Sequence, residues 1–483
     1  MLPAGGVLEQ ARRARDPRFD GRFFIGVRTT GIYCRPVCPV KMPHAENVTF
    51  FASAAAAAEA GYRPCLRCRP ESSPGTPAWQ GTSSTVRRAL RLIEEGVLDR
   101  DSVVSLSDRL GVTSRHLNRL FRTHLGASPK TVAQTRRLHF AKRLIDETRL
   151  PMTEIALSAG YGSIRRFNDH FRQTYGRSPS ELRRGTGMGI ASGVPTAVDP
   201  LVLQLSYRAP CDFPALLDFC RIRATPGVEA VGETYRRNFL LDGGSGRIEV
   251  VDAGDAITCR IEGGSPRILM DIDRRVRRMF DTDAVLEEVH AVLGKDPVMA
   301  GLVAPAPGLR LPGAFEPFET AVRAIVGQQV SVKGATTIMG RIVERYGRQT
   351  PHGAVFPGPA ELAELAPDSL PMPSRRAMAI KALAAGVQRG DVSLDQPDDD
   401  ALRQSLLAIP GIGPWTADYI ALRVRADPDA FLVGDLVVRR MMETLYGITS
   451  ERDMLAIAEH WRPWRGYAGL YLWRHAARLS EMS

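Results

Sequence analysis

Apolar positions change their spacing several times along this chain, and each change marks a different kind of segment. From Thr82 to Arg184 they recur every three or four residues, the period of helices packed on one side. That stretch also repeats itself: Phe121, Gly126, Ser128 and Pro129 return fifty residues later as Phe171, Gly176, Ser178 and Pro179. Each copy reads as a helix, a glycine turn and a second helix with apolar residues inward and Arg, His or Asn outward. After residue 200 the period drops to two. Val202–Tyr207, Arg247–Val251 and Ala256–Ile261 alternate as strands do, with helices expected over Phe213–Arg223 and Ile272–Phe280. Beyond a Pro/Gly-rich stretch at 301–313 the helical period returns, with helices expected over Phe315–Tyr346, Leu362–Gly386 and Ala401–Ile409. Turn-rich segments at 71–81 and 185–200 read as linkers. The chain therefore divides into 10–72, 82–184, 200–300 and 305–483, as expected for 483 residues.

The first of these segments is organised by cysteine. Cys34 and Cys38 are separated by three residues, Cys65 and Cys68 by two, and twenty-six residues lie between the pairs. Two close thiol pairs suit a tetrahedral Zn²⁺ ion, each pair chelating from one turn. Ser53, the alanine run after it and Gly61 read as a helix that delivers the second pair. Spacing alone fits a closed structural site. The surroundings add a second reading, because Arg12 to Arg69 holds eleven Lys/Arg against four Asp/Glu. A thiolate centre in a basic module suits chemistry beside a phosphate backbone. Cys211, Cys220 and Cys259 have no pairing pattern and read as buried reduced thiols.

The runs Asp16–Phe24, Val27–Cys38 and Gly61–Pro70 resemble the N-terminal domain of the Ada adaptive-response regulators. In that family the first cysteine is both zinc ligand and acceptor of a methyl group, taken irreversibly from a methylphosphotriester in DNA. The resemblance implies Cys34 as acceptor and Cys38, Cys65 and Cys68 as its co-ligands. It also places Thr30 and Lys41 at the DNA backbone, with Lys41 standing where the family has arginine. The repeated helix pairs, each trailed by Gly-x-Ser-Pro, resemble the paired helix-turn-helix domain of AraC-type activators. Arg115, His116, Asn118, Arg119, Arg165 and Arg166 are the expected groove-facing side chains, about half of them meeting only phosphate.

Near the other end, Leu406–Pro410 closes a helix, Gly411-Ile412-Gly413 turns, and Pro414-Trp415 opens the next. Two glycines allow close approach, and the free N–H groups of the second helix face whatever docks there, phosphate above all. Asp435 follows Gly434 and precedes an apolar helix, with Trp461, Trp464 and Trp473 beyond. Its carboxylate can cap that helix and can also stand beside a developing cation; the two roles are compatible. Together these residues resemble the helix-hairpin-helix DNA glycosylases, nearest the AlkA-type 3-methyladenine enzymes, over residues 202 to 483. The resemblance implies Asp435 as the catalytic carboxylate, Trp415, Tyr419 and Trp473 as the base pocket, and hairpin contacts at Gly411 and Gly413. Gln329 takes the place of the residue that fills the gap left by an extruded base, an apolar residue in the best-known relative. Trp415 stands where strand-nicking relatives carry lysine, which implies a monofunctional enzyme, and no cysteine follows Cys259 to hold an iron–sulfur cluster. Ada proteins often end in a Pro-Cys-His-Arg transferase site; the nearest match here is Pro210-Cys211-Asp212, so that activity is not expected.

Charge sharpens this division. The formal net charge is +11, but residues 10–70 carry +7 and 82–184 carry +10, while 185–483 carry −4. The front has the footprint of a nucleic-acid binder, and the back must bind DNA through a local patch. Arg274–Arg278 is a basic cluster in the acidic half and reads as a solvated face. No apolar run approaches about 18 residues, so a cytoplasmic protein with no membrane contact is expected. The fold class expected is multidomain α+β: a small Cys₄ zinc domain, an all-α paired helix-turn-helix, an α+β subdomain and an all-α helix-hairpin-helix domain. The implied partners are alkylated and promoter duplex DNA and RNA polymerase, the implied cofactor one Zn²⁺. The resemblances imply an alkylation-response protein that accepts methyl groups, activates transcription and excises alkylated purines. The competing reading is a transcription factor with structural zinc and an inert glycosylase-like tail.

Overall fold

The computed structural model describes residues 2–74, 84–184, 200–395 and 398–481. Most of both expected linkers falls outside these residues. The chain forms two compact units, the first comprising Met1–Ala209, Leu241–Gly244 and Asp252–Arg274, the second the remainder, so the division runs through the α+β segment.

In the first unit, residues 24–64 build a four-stranded sheet whose strands are too short for alternation to reveal them. Phe24–Val27 pairs antiparallel with Val48–Phe51 and with Ile32–Cys34, setting Ile25 opposite Cys34. Arg63–Pro64 runs parallel beside Ile32–Cys34, Tyr33 opposite Pro64. Gly26 has to be glycine: a Cβ there would lie 2.6 Å from the Phe51 ring and 2.9 Å from that of Tyr62. The helix Ala54–Glu59 starts on Ser53, whose Oγ accepts the Ala56 N–H at 3.0 Å.

The repeat becomes two matched helix pairs. Val103–Arg109 precedes Ser114–Leu125, and Met152–Ser158 precedes Ile164–Tyr175. Thr113 and Ser163 cap the second helix of each pair, and Gly126 and Gly176 end them with φ of +71° and +67°, a left-handed turn glycine adopts without strain. Leu117, Phe121 and Leu125, and likewise Phe167, Phe171 and Tyr175, share the buried stripe of their helix. Pro129–Glu147 joins the pairs and is buried along much of its length. The strands Leu201–Ser206 and Ala256–Gly263 complete this unit, pairing antiparallel with Leu203 opposite Cys259, both fully buried.

In the second unit, Glu229–Val231 pairs antiparallel with the start of Tyr235–Leu241, two strands the sequence reading missed. Helices make up most of the rest. The expected helix 315–346 is two, Pro317–Val326 and Val332–Tyr346, parted by a turn at 327–331. The expected helix 362–386 also breaks, into Pro359–Glu364 and Ser374–Arg389, because Pro367, Pro371 and Pro373 cannot continue it. Asp399–Leu407, the glycine turn and Pro414–Val424 form the hairpin. Gly411 has φ +93°, and its Cβ would come 3.1 Å from that of Ala379. One core gathers Val326, Ile380, Ile420, Met442, Trp461 and Leu472, all at or near zero exposure.

Because Phe121 is fully buried beneath the first repeat's second helix, Phe121→Ala should destabilise the first unit by about 3–5 kcal/mol. The expected readout is an earlier urea transition of that unit, the second unit's unfolding staying in place.

Candidate metal centre and DNA-facing sites

Cys34 ends one strand, and Cys65 follows the strand parallel to it; the Cys65 N–H donates to the Tyr33 carbonyl at 3.0 Å. That pairing brings the distant half of the constellation to the near half. All four sulfur atoms lie within 4.8 Å of one another, and all four residues are buried. Four thiolates packed this closely would repel one another, so the cluster calls for a cation among them. An all-sulfur, four-donor set of this size fits one Zn²⁺. Outside the ligands, the Arg35 N–H points at Cys68 Sγ (3.4 Å), and its guanidinium donates to the Asp20 carboxylate at 2.9 and 3.0 Å and to the Cys68 carbonyl at 3.2 Å. Thr30 and Lys41 are exposed on this module, Thr30 Oγ1 donating to the Val27 carbonyl at 3.3 Å.

The same unit docks the cysteine module onto the helix pairs. The Ser53 hydroxyl donates to the carbonyl of Leu125, the last residue of Ser114–Leu125, at 2.9 Å. The Glu59 carboxylate accepts the Ser128 N–H at 2.7 Å. Tyr33, next to Cys34, hydrogen-bonds His139 at 2.8 Å, and burial holds that imidazole down at about 4, hence neutral. On the outward face of Ser114–Leu125, Arg115 and Arg119 are exposed, Arg119 meets His116 Nδ1 at 3.1 Å, and Asn118 donates back to Ser114. A groove of about 560 Å³ includes these residues together with Arg122 and Thr123. Those last two were absent from the sequence reading, although they continue the same helical face. In the second copy Arg165 and Arg166 are exposed, Arg165 within 3.8 Å of Asp169.

The second unit brings Trp415, Tyr419, Trp473 and Asp435 together. Trp415 and Tyr419 stack at 5.3 Å, and Trp473 is tilted against Tyr419 at 6.4 Å. Asp435 caps Leu436–Tyr446: its Oδ1 accepts the N–H groups of Val437 (3.0 Å) and Val438 (3.1 Å) and the Trp473 indole N–H (3.1 Å). Its Oδ2 accepts the Trp415 indole N–H at 3.2 Å. Behind the rings lies a cationic wall that the sequence reading missed. Arg423 donates to the Tyr419 hydroxyl at 3.0 Å and lies over the Phe219 ring at 4.6 Å; Arg223 covers the same ring at 3.8 Å. Burial alone would push the Tyr419 phenol up, but Arg423, Arg223 and Arg323 outweigh it and hold the phenol below its usual value. Arg423 is one helical turn from Tyr419 and could have been suspected; nothing local flags Arg223. Gly411 and Gly413 are half-buried at the hairpin, and Gln329 is exposed at the tip of its turn.

Profiles of four families match the chain: the metal binding domain of Ada at residues 8–71, a helix-turn-helix domain at 106–185, the AlkA N-terminal domain at 202–316, and the HhH-GPD superfamily base excision DNA repair protein at 322–465. The chain is 42% identical over 472 residues to the probable bifunctional transcriptional activator/DNA repair enzyme AlkA of Mycobacterium tuberculosis, covering 96% of this chain and 95% of that one. It is 33% identical over 279 residues to DNA-3-methyladenine glycosylase 2 of Escherichia coli, 56% of this chain and 95% of that one. In fold it matches the 3-methyladenine DNA-glycosylase from Archaeoglobus fulgidus, with TM-score 0.52, 21% identity, and coverage of 58% and 99%. Among the described residues no helix is long and apolar enough to cross a membrane.

The purified chain should hold one zinc per molecule by elemental analysis. Cys65→Ser should bring it well below one, since three sulfurs and a hydroxyl make a poorer set for this ion.

Proposed function

We propose residue roles from the premise that this chain belongs to the family of bifunctional transcriptional activator/DNA repair enzymes, joining an Ada-type metal-binding domain and a helix-turn-helix regulator to an AlkA-type glycosylase. It acts in the response to DNA alkylation, binds DNA, and excises bases of the 3-methyladenine type.

We assign the excision chemistry to Asp435, and the arrangement of donors around its carboxylate carries that reading. Breaking an N-glycosidic bond leaves positive charge on the sugar, which a fixed carboxylate stabilises. Three donors occupy Oδ1 and only one occupies Oδ2, so Oδ2 keeps lone-pair capacity to face the sugar or orient a water. The two indoles that position the carboxylate also supply aromatic faces to an extruded cationic purine, with Tyr419 between them. Trp415 offers no amine for strand cleavage, so the product is an abasic site. Gly411 and Gly413 hold backbone phosphate, and Gln329 enters the gap left by the base.

For the front of the chain we assign Cys34 as methyl acceptor. Zinc, when bound, keeps the cysteines as thiolates at neutral pH. Cys34 Sγ attacks the methyl carbon of a methylphosphotriester, forming an S–C bond. The C–O bond breaks and its electron pair leaves with the phosphodiester oxygen. The acceptor sulfur becomes a thioether, so the step occurs once per molecule. Thr30 and Lys41 contact the backbone at that site. Arg115, His116, Asn118, Arg119, Arg165 and Arg166 then hold promoter DNA, where the protein recruits RNA polymerase.

Asp435→Asn retains a cap acceptor but loses the anion. It is expected to slow release of 3-methyladenine from methylated duplex by about a hundredfold or more while leaving DNA binding in place. Wild-type release would remove Asp435 from the reaction.

Methylated DNA should add one methyl group to the Cys34 peptide by mass analysis, and none in Cys34→Ala. Losing one negative charge beside phosphate should also raise promoter affinity several-fold, about 1 kcal/mol. That gain should shrink at high salt. A gain unchanged by salt would point away from a Coulombic switch.

A further inference from the structure

Gln329 stands exposed at its turn in a left-handed conformation, φ +54°, which a residue other than glycine keeps only when its neighbours hold it there. The residue before it, Gln328, is anchored. Its side chain turns inward, and Nε2 donates to the Gly411 carbonyl and to Thr416 Oγ1, both at 2.9 Å. The Gly411 carbonyl can only accept, so the nitrogen of this amide has to face it. From the other side Arg376 Nη1 donates to the Val326 carbonyl at 3.0 Å and to the Gln328 carbonyl at 3.2 Å. Gly411 is the turn of the hairpin. Thr416 is buried beside Trp415, whose indole reaches Asp435. One amide thus joins the turn that presents Gln329, the glycine turn, and the helix that carries Trp415 and Tyr419.

We propose that Gln328 is a positioning residue for base extrusion, locking the Gln329 turn to the hairpin so that its tip is set relative to the base pocket before DNA arrives. The proposal rests on the glycosylase reading. Taking a paired base out of the stack is uphill, and a side chain that fills the gap offsets this only if it need not be ordered at that moment. A loosened turn would therefore slow excision where the base is paired. It would matter little where the base is already unpaired. A defect in the pocket or in folding would slow both alike.

The test compares single-turnover excision of one alkylated purine in two duplexes, one fully paired and one with an abasic site opposite the damaged base. Gln328→Met keeps length and removes both donors. It is expected to lose about tenfold or more on the paired duplex, the scale of one hydrogen bond, and under about threefold on the unpaired one. In a duplex with 2-aminopurine beside the target, the same variant should give a smaller fluorescence rise on binding than wild type. Equal losses on the two duplexes, or an unchanged fluorescence rise, would overturn the proposal. Should Gln328→Met fail to show a native melting transition, Gln329→Gly serves in its place, because glycine suits the left-handed φ and only the tip side chain is lost. It should show the same dependence on pairing, and uniform loss or no loss would again overturn it. Asp435→Asn, run in parallel, should be slowed by about a hundredfold or more on both duplexes. Wild-type rates in that variant would remove Asp435 from the reaction, and no base release by the wild-type chain from either duplex would overturn the glycosylase reading; both results are distinct from failure of the pairing dependence.

Discussion

The end of a helix leaves backbone N–H and C=O groups without partners, and the side chains that satisfy them set the key arrangements of this chain. Asp435 is the clearest case. Two N–H groups of the helix it starts hold Oδ1, and these two bonds fix the carboxylate before any substrate is present. The indoles of Trp415 and Trp473 complete the grip from two other helices. A carboxylate held by four donors needs no reorganisation when charge develops on a sugar beside it, the condition under which electrostatic stabilisation is most effective. In the role proposed for Asp435, cap and reagent are one group, because the cap makes the carboxylate rigid.

The same constraint organises the junction of the cysteine module with the helix pairs. Ser53 caps its own helix through the Ala56 N–H and donates its proton to the Leu125 carbonyl at the end of the neighbouring helix. Glu59 takes the Ser128 N–H, and a Cβ at Gly126 would come within 2.9 Å of Ala56. One buried polar pair also crosses this junction, Tyr33 with His139 at 2.8 Å. A buried polar pair of this kind adds little net stability but penalises alternative arrangements, because a shifted one would strand it. The short helix that precedes Cys65 is thus set against the helix expected to read DNA.

Charge is arranged differently behind the rings of Trp415, Tyr419 and Trp473. Arg223, Arg323 and Arg423 would repel one another if left without partners, yet each has a local answer. Arg423 donates to Pro312 O, Gly313 O and the Tyr419 hydroxyl, Arg323 to Thr225 and Thr336, and Arg223 lies on the Phe219 ring. The Tyr419 hydroxyl is therefore already engaged, so in the proposed role it is the aromatic ring that meets the base.

Read alone, the sequence determined those features whose physics is local. Cysteine spacing set the donor set for a metal, the fifty-residue echo set two equivalent helix pairs, and Gly-x-Gly between helices set the hairpin. Asp435 ahead of an apolar run marked a cap. It misjudged local structure where strands are two to four residues long, as in the cysteine module, and where prolines interrupt a helical period, as at 365–373. What only the tertiary structure decided depends on residues far apart in the chain. The parallel pairing of Arg63–Pro64 with Ile32–Cys34 closes the four-sulfur cluster. Packing turns Trp473 onto Asp435, brings Arg223 behind Tyr419, and ties Gln328 to a hairpin more than eighty residues away. Spacing along the chain carries a helical face or a chelating turn, because three or four residues define it. A contact across a hundred residues is decided by which surfaces the whole core buries, and no local pattern records that.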